Sequence, residues 1–344
     1  DEFDIEFEEG SYISLSSKIL EPILKTFYEL LDRPNSEGFK LQRYEAHAMQ
    51  NFSYTGFAIE DKTDLSGISR EMKSIQTQKS APKGLKATLR AYQQEGVAWM
   101  QFLRKYNFGG ILADDMGLGK TVQTLAHLQL EKEAERLDKP ALIVAPTSLL
   151  GNWKAEANKF TPELNVALYY GDKRKDILDN INDYDLIITT YTLLTLDIEK
   201  LMRETFYYLI LDEAQKIKNA RSESAKSTRL IQAKHALALS GTPMEKHLGE
   251  PHSIFDTVMP NFLGTLKEFK TLYQNPIEKE RDIKAQQRLN GRIAPFMLRR
   301  TKDKVAKELP QKTEMIRSVS FESDQARLYE TIRVSMEKSV RESI

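Results

Sequence analysis

The sequence contains no cysteine, which excludes disulfide bonds and every metal site that needs thiolate ligands. It also lacks any apolar run near the roughly 18–20 residues that cross a bilayer as a helix. Residues 1–9 are acidic, whereas the start of a secretory signal is basic. These absences indicate a cytoplasmic protein without a membrane partner. The first residue is Asp1 rather than methionine, so we expect a fragment of a longer protein.

Net charge is zero, with 50 basic and 50 acidic side chains, but the charge is unevenly distributed. Residues 1–80 contain fifteen acidic and nine basic side chains, so the remainder carries a net charge of about +6. A mildly basic body is compatible with a polyanionic partner.

A length of 344 residues predicts roughly two domains. Residues 1–80 form the first, a small accessory α/β or α region, in which residues 3–14 alternate like an exposed strand and residues 15–31 have helical spacing. The polar stretch 60–84 is typical of a linker. The accessory region is interpreted as a packing or regulatory module, or as an acidic segment that covers a basic face.

Short apolar runs separated by helical patterns follow from about residue 87. This alternation predicts an α/β fold, a parallel sheet with helices on both faces, for residues 81–312. Ligands of such sheets bind at the carboxyl ends of the strands. Residues 244–292 are predicted to be a helical insertion, and residues 313–344 the start of another lobe. The apolar runs are 111–113, 141–145, 166–170, 186–190, 207–211 and 236–239.

The sequence Asp-Asp-Met-Gly-Leu-Gly-Lys-Thr at 114–121 lies between an apolar strand and an amphipathic helix. Glycines at such a turn let backbone N–H groups surround a phosphate, and the helix amino terminus adds positive potential. Lys120 can reach the β- and γ-phosphates, and Thr121 can bind Mg²⁺. The first glycine of the strict phosphate-loop pattern is replaced by Asp114.

Two carboxylates, Asp212 and Glu213, follow the apolar run 207–211. The first can hold Mg²⁺ and the second can orient or deprotonate the attacking water. Ser240–Gly241–Thr242 follows the next run and is typical of a turn, or of a switch beside the nucleotide. Gln93 has both a donor and an acceptor for the edge of an adenine.

Together these motifs resemble the Swi/Snf-type DNA-translocase ATPases of helicase superfamily 2, as a bacterial-type member, from about residue 89 to residue 314. In that family an acidic residue normally occupies the position of Asp114. The segment 294–302, Ala-Pro-Phe-Met-Leu-Arg-Arg-Thr-Lys, is the most specific match, because plain helicases lack it. The matching segments are 89–93, 114–121, 142–153, 185–191, 212–215, 240–243 and 294–302, followed by Val305 and 309–310.

The resemblance implies a RecA-like lobe that uses ATP and Mg²⁺. Lys120, Asp212 and Glu213 are the expected catalytic residues, and Thr121 and Asp212 the expected metal ligands. Gln215, Ser240, Gly241 and Thr242 are expected to couple the site to a partner lobe. The expected nucleotide contacts are Arg90, Gln93, Asp115, Met116, Gly117, Leu118, Gly119, Lys120 and Thr121.

The resemblance also implies weak, sequence-independent contact with double-stranded DNA, through groups suited to phosphates. Two alternatives stay open: Trp153 belongs to the core or stacks on a base, and Arg299 and Arg300 contact DNA or pair with local acids. The expected DNA contacts are Thr147, Ser148, Asn152, Thr190, Tyr191, Arg299, Arg300 and Lys302.

The chain departs from the family at Glu245–Lys246 and Pro251–His252, and nothing after Lys302 resembles the late motifs that supply arginine fingers. We therefore expect the isolated lobe to be nearly inactive. The leading function is that of an ATP-driven double-stranded-DNA translocase of the bacterial nucleoid. It would remodel complexes of DNA with RNA polymerase or another bound protein. The alternatives are a strand-separating helicase and a nucleotide-gated DNA-binding module without significant turnover.

Overall fold

The computed structural model describes residues 2–7, 11–16, 43–44, 64–74, 81–172, 174–241, 248–305 and 323–341. The chain divides into two compact units, residues 1–305 and residues 306–344. Within the described ranges, no helix is long and apolar enough to cross a membrane.

The first unit is organised around a parallel sheet of seven strands in the order β5-β6-β4-β7-β8-β3-β9. A separate antiparallel hairpin joins β1 to β2. The strands are β1 (Glu2–Phe7), β2 (Ser11–Ser16), β3 (Gly110–Leu112), β4 (Ala141–Ala145), β5 (Val166–Leu168), β6 (Leu186–Thr190), β7 (Thr205–Leu211), β8 (Gln232–Leu239) and β9 (Met297–Leu298).

The central strands are buried on both faces. Every residue of β3, β4 and β6 is buried, as is every residue of β7 after Thr205. Because successive side chains of a strand point to opposite faces, burial of all of them requires cover on both sides of the sheet. This confirms the predicted α/β class with helices on both faces.

Helices connect the strands, and the described residues between β8 and β9 contain helices but no strand. Single turns of 3-10 helix lie at Thr147–Leu149, Ile181–Asp183, Ala214–Ile217 and Ala294–Phe296, and a π-helical turn lies at Lys270–Gln274. The α-helices are α1 (Leu65–Ser74), α2 (Ala91–Tyr106), α3 (Lys120–Glu133), α4 (Leu150–Phe160), α5 (Arg174–Asp179), α6 (Tyr191–Leu196), α7 (Ile198–Leu201), α8 (Glu223–Leu230), α9 (Gly249–Val258), α10 (Leu266–Phe269), α11 (Asn275–Glu280), α12 (Ile283–Ile293), α13 (Lys302–Val305) and, in the second unit, α14 (Ser323–Arg341).

Two elements differ from the sequence-based expectation. Helix α1 lies inside the segment 60–84 that was predicted to be a linker, and its Leu65 and Ile68 join the hydrophobic core. Glu71 on the same helix accepts hydrogen bonds from Lys105 Nζ at 2.6 Å and Tyr106 Oη at 2.5 Å. The prediction was wrong because three apolar residues at helical spacing were outweighed by their polar neighbours. The very short β9 was also not predicted, and residues 15–31 and 313–320 lie outside the described residues.

A buried charged cluster lies on α3, away from the phosphate loop. Glu131 accepts hydrogen bonds from Arg136 and from Tyr207 Oη, while Gln101 bridges Glu131 and His127 Nδ1. Burial lowers the pKa of His127 to about 4. Burial acts to raise the pKa of Glu131, but its hydrogen bonds outweigh that effect and lower the pKa to about 2. The folded protein therefore keeps His127 neutral and Glu131 anionic, and protonation of either group at low pH disrupts the cluster.

We predict that acidification destabilises the fold in two windows. Because the folded pKa of His127 is depressed, the unfolded chain takes up the proton first, so stability falls between about pH 6.5 and 4, by up to about 3 kcal/mol for this residue. The contribution of Glu131 is lost lower, from about pH 4.5 towards 2. Urea unfolding at several pH values measures both.

His127→Asn separates the two effects, because its amide oxygen can replace Nδ1 as acceptor but does not titrate. The variant should show a smaller loss of unfolding free energy between pH 6.5 and 4 than the parent protein. An unchanged slope in that window would contradict the assignment.

Candidate functional site

The predicted site residues meet at one edge of the sheet because each follows the carboxyl end of a parallel strand. Asp114 follows β3, Thr147 follows β4, Tyr191 follows β6, Asp212 follows β7 and Ser240 follows β8. In a parallel sheet these ends share one edge, where ligands bind. The segment after β9 joins them, with Arg300 in direct contact with Asp114.

The loop between β3 and α3 has the conformation of a phosphate cradle. Gly117 and Gly119 have φ angles of 85° and 77°, and Lys120 begins helix α3. The φ of 77° at Gly119 favours glycine, and a Cβ there would also lie 2.6 Å from Gln93 Nε2. Lys120 Nζ donates to the carbonyl oxygens of Asp114 and Asp115, at 2.7 and 3.4 Å. Burial lowers the pKa of Lys120 in spite of the surrounding carboxylates.

Asp114, at the position of the missing glycine, forms a buried ion pair with Arg300. The side chains are 0% and 9% exposed, and Arg300 Nη2 and Nε donate to the two carboxylate oxygens at 2.6 and 2.9 Å. The backbone N–H of Arg300 adds a third bond to Asp114 Oδ1 at 3.1 Å. Such a two-pronged arrangement is the strongest geometry available to an arginine and a carboxylate. Asp114 therefore anchors the segment after β9.

Helices α2 and α3 enclose this ion pair. Gln123 on α3 accepts from Arg300 Nη2 at 2.8 Å and donates to Asp114 Oδ2 at 3.3 Å. On α2, the carbonyl oxygen of Tyr92 accepts from Arg300 Nη1, and the Tyr92 ring lies 5.2 Å from the guanidinium carbon. A Cβ on Gly96 would lie 2.0 Å from Gln123 Oε1 and 2.9 Å from Arg300 Nη2, so a side chain there would displace the groups that enclose the ion pair.

Asp212, the expected metal ligand, is tied to the helices that follow β4 and β6. Trp153 Nε1 donates to Asp212 Oδ2 at 2.7 Å, and Tyr191 Oη donates to the Asp212 carbonyl oxygen at 2.8 Å. Burial raises the pKa of Asp212, and the bond from Trp153 opposes that rise. Trp153 is 1% exposed, so it belongs to the core and is not a stacking platform.

Glu213 is held in a strained conformation beside the loop. Its φ of 50° lies in the left-handed region, which residues with a Cβ rarely adopt. Gln215 Nε2 donates to Glu213 Oε2 at 2.5 Å, and Ser240 Oγ donates to Gln215 Oε1 at 3.4 Å. A Cβ on Gly241 would lie 3.5 Å from Lys120 Nζ and 3.9 Å from Glu213 Oε1. The residues expected to couple the site thus lie beside its lysine and acid, except Thr242, which lies outside the described residues.

Gln93 is engaged within the protein. Its Oε1 accepts from the backbone N–H of Arg90 at 2.9 Å, and its Nε2 donates to the carbonyl oxygen of Leu118 at 3.2 Å. An adenine contact by Gln93 stays a prediction and would require exchange of these bonds.

The expected DNA contacts divide into exposed and buried groups. Thr147, Ser148, Asn152, Arg299 and Lys302 are exposed. Three others are buried and bonded inside the protein, which differs from the predicted role. Thr190 caps α6 by accepting from Leu193 N, Tyr191 bonds to Asp212, and Arg300 pairs with Asp114.

The acids at the site suit Mg²⁺ held jointly with phosphate oxygens. Within the described ranges no group of three or more histidine or acidic residues could hold a metal ion. Mg²⁺ is typically bound by one or two carboxylates together with water and substrate phosphates. Asp212 and the half-buried Thr121 fit that requirement.

Four contributors were missed by sequence reasoning. Gln123, Gly96 and Tyr92 look like ordinary helix residues, and Trp153 was not assigned its bond to Asp212. The sequence did contain one signal, an acid at the first loop position and a pair of arginines late in the chain. If both sites are buried, the acid and one of the arginines are expected to form an ion pair. Of the departures, 245–246 lie outside the described residues. His252 is buried, with Nε2 3.0 Å from the carbonyl oxygen of Gly264.

Comparison with known proteins gives a consistent result. Residues 92–343 match the family model of the SNF2-related domain. The Bacillus subtilis protein YwqA, named as an ATP-dependent helicase/translocase, is 39% identical over 336 residues, which cover 92% of this chain and 36% of YwqA. The TATA-binding protein-associated factor MOT1 of Saccharomyces cerevisiae is 39% identical over 255 residues, covering 67% of this chain and 14% of MOT1.

Solved structures agree in fold. The SWI2/SNF2 ATPase core of Sulfolobus solfataricus in complex with dsDNA matches with a TM-score of 0.63 and 40% identity, over 68% of this chain and 49% of that chain. A structure of the Sulfolobus solfataricus SWI2/SNF2 ATPase core domain matches with a TM-score of 0.61 and 38% identity, over 75% of this chain and 53% of that chain.

We predict strong coupling between Asp114 and Arg300 in a double-mutant cycle. Asp114→Asn or Arg300→Met alone leaves a buried charge unpaired and should lower the free energy of unfolding by about 3–5 kcal/mol. The double variant should lose clearly less than the sum of the two. Urea unfolding of the four proteins measures the cycle, and additive losses would contradict the pairing.

Proposed function

Because the chain belongs to the family of the SNF2-related domain, we propose that it is the ATP-binding lobe of an ATP-dependent double-stranded-DNA translocase. The chain spans about a third of the length of YwqA, so the activity proposed is that of the two-lobed protein. One observation carries the proposal: Lys120, Glu213 and Gly241 lie together at the carboxyl edge, next to a loop with two left-handed glycines.

The proposed roles follow from position. The backbone of 117–121 and Lys120 bind the phosphates, while Asp212 and Thr121 hold the magnesium ion. Bound ATP·Mg²⁺ supplies the reactive phosphoanhydride and a divalent charge. Glu213, fixed by Gln215, orients or deprotonates the attacking water. Phosphoryl transfer depends mostly on positioning and charge stabilisation, and an arginine finger contributes about 10³–10⁵ in rate. We propose that a second lobe supplies that arginine.

Double-stranded DNA is the proposed track. The Sulfolobus relative is described as a complex with dsDNA, and Thr147, Ser148 and Asn152 are exposed on the segment after β4. Hydroxyl and amide groups suit contacts to phosphates and sugars without reading sequence. Since MOT1 is named as a TATA-binding protein-associated factor, the proposed target is a protein bound to DNA, RNA polymerase among the candidates. For a bacterial-type member the expected place of action is the cytoplasm, at the nucleoid.

Two alternatives predict different results. A strand-separating helicase would displace one strand of a duplex, whereas the proposed translocase hydrolyses ATP on DNA without strand separation. A nucleotide-gated binding module would bind ATP without DNA-stimulated turnover, but Lys120, Asp212 and Glu213 are all present at the site. Steady-state hydrolysis by the two-lobed protein, with and without duplex DNA, and an unwinding assay separate the three.

The 344-residue chain should bind ATP·Mg²⁺ and hydrolyse it very slowly, because the arginine finger is proposed to come from a second lobe. Calorimetric titration and phosphate release measure the two properties, with Lys120→Ala as the binding-deficient control. Rapid DNA-stimulated hydrolysis by this chain alone would contradict the proposed division of the site.

This chain should bind duplexes weakly, in the range of about 10⁻⁴–10⁻⁶ M at physiological salt, with affinity that falls steeply as salt rises. Fluorescence anisotropy with two duplexes of equal length and different sequence should give the same affinity for both. Tight binding that ignores salt, or a clear preference for one sequence, would contradict non-specific phosphate contact.

A further inference from the structure

We propose that Lys302 is a second phosphate-binding lysine of this site, an inference that rests on the proposed binding of ATP by the loop. Its backbone N–H donates to Asp115 Oδ2 at 3.0 Å. Its Cε and Nζ both lie 3.6 Å from the position that a Cβ on Gly117 would occupy. The ammonium group therefore lies beside Gly117 of the phosphate loop.

The backbone fixes Lys302 in this place. The N–H of Ala113 donates to the carbonyl oxygen of Leu298 at 2.8 Å, and the N–H of Asp115 donates to that of Arg300 at 3.0 Å. The segment 298–302 therefore runs alongside the phosphate loop as an extension of β9. Because Arg300 is anchored by Asp114 and the Lys302 amide by Asp115, the backbone of Lys302 is held against the loop.

The charges around the loop favour the binding of an anion. Arg300 compensates Asp114 in the buried pair, and Asp115 Oδ2 accepts from the Lys302 amide. Within the described part of the chain, no carboxylate forms an ion pair with Lys302 Nζ. Lys120 approaches the loop near Gly241 and Glu213, whereas Lys302 approaches it over Gly117. Two ammonium groups thus lie beside the same loop, and a lysine binds phosphate as a point charge.

This position also distinguishes nucleotide from DNA as the anion. The sequence pattern placed Lys302 with the DNA contacts, but its side chain lies against Gly117 in the proposed phosphate loop. The anion we assign to it is the polyphosphate of a nucleoside triphosphate. DNA binding by the lobe should then be independent of this lysine.

Competition titrations with ATP, ADP and AMP on the purified 344-residue chain test the assignment. Lys302→Gln should lower the affinity for ATP by about tenfold. The loss of affinity should be smaller for ADP and smallest for AMP. Lys302→Arg should restore most of the affinity. The matched control is Lys304→Gln, which removes another exposed lysine from the same short helix and should leave ATP affinity unchanged. DNA affinity, measured in parallel, should be the same in all four proteins.

The outcomes are distinguishable. Equal ATP affinity in the parent and Lys302→Gln proteins would overturn this inference alone, as would a loss confined to DNA binding or a loss of equal size for ATP and AMP. A parent protein that does not bind ATP would overturn the proposed function and this inference with it. Thermal unfolding of each variant verifies that the fold is intact.

Discussion

The buried ion pair between Asp114 and Arg300 is the interaction on which the geometry of this site depends. It joins a loop after β3 to a segment 186 residues later in the chain, and it is enclosed by Gln123 from α3 and Tyr92 from α2. A buried charge is tolerated only when it is paired and fully hydrogen-bonded, so each member of this network requires the others. The acid in place of the usual glycine is therefore a structural attachment point beside the phosphate cradle.

Hydrogen bonds to Asp212 connect the same site to the segments expected to contact DNA. The stretch 147–153 carries exposed hydroxyl groups at one end and Trp153, bonded to Asp212, at the other. Tyr191 makes a second bond to Asp212 from the turn after β6, and Ser240 reaches Glu213 through Gln215. The acids of the site are thus held by the segments that follow neighbouring strands. A displacement of any of these segments would change the positions of the carboxylates.

Much of the fold follows from the sequence because buried parallel strands are short, continuous apolar runs. The runs at 141–145 and 186–190 match β4 and β6 residue for residue. Strand β9 has only two residues, too few to form a recognisable apolar run, although it pairs with β3 through the backbone. Helix α1 was hidden in a polar stretch for a similar reason: Leu65 and Ile68 are decisive only once the core against which they pack exists. The pairing of Arg300 with Asp114, which are 186 residues apart, cannot be predicted from local pattern.

The most direct measurement is a crystal structure of this chain with a non-hydrolysable ATP analogue and Mg²⁺. The account predicts phosphates over the backbone of 117–121, with Lys120 and Lys302 on the anion and Asp212 on the metal side. Asp114 should remain paired with Arg300. An analogue bound elsewhere, or an Arg300 that leaves Asp114 to contact the phosphates, would contradict it.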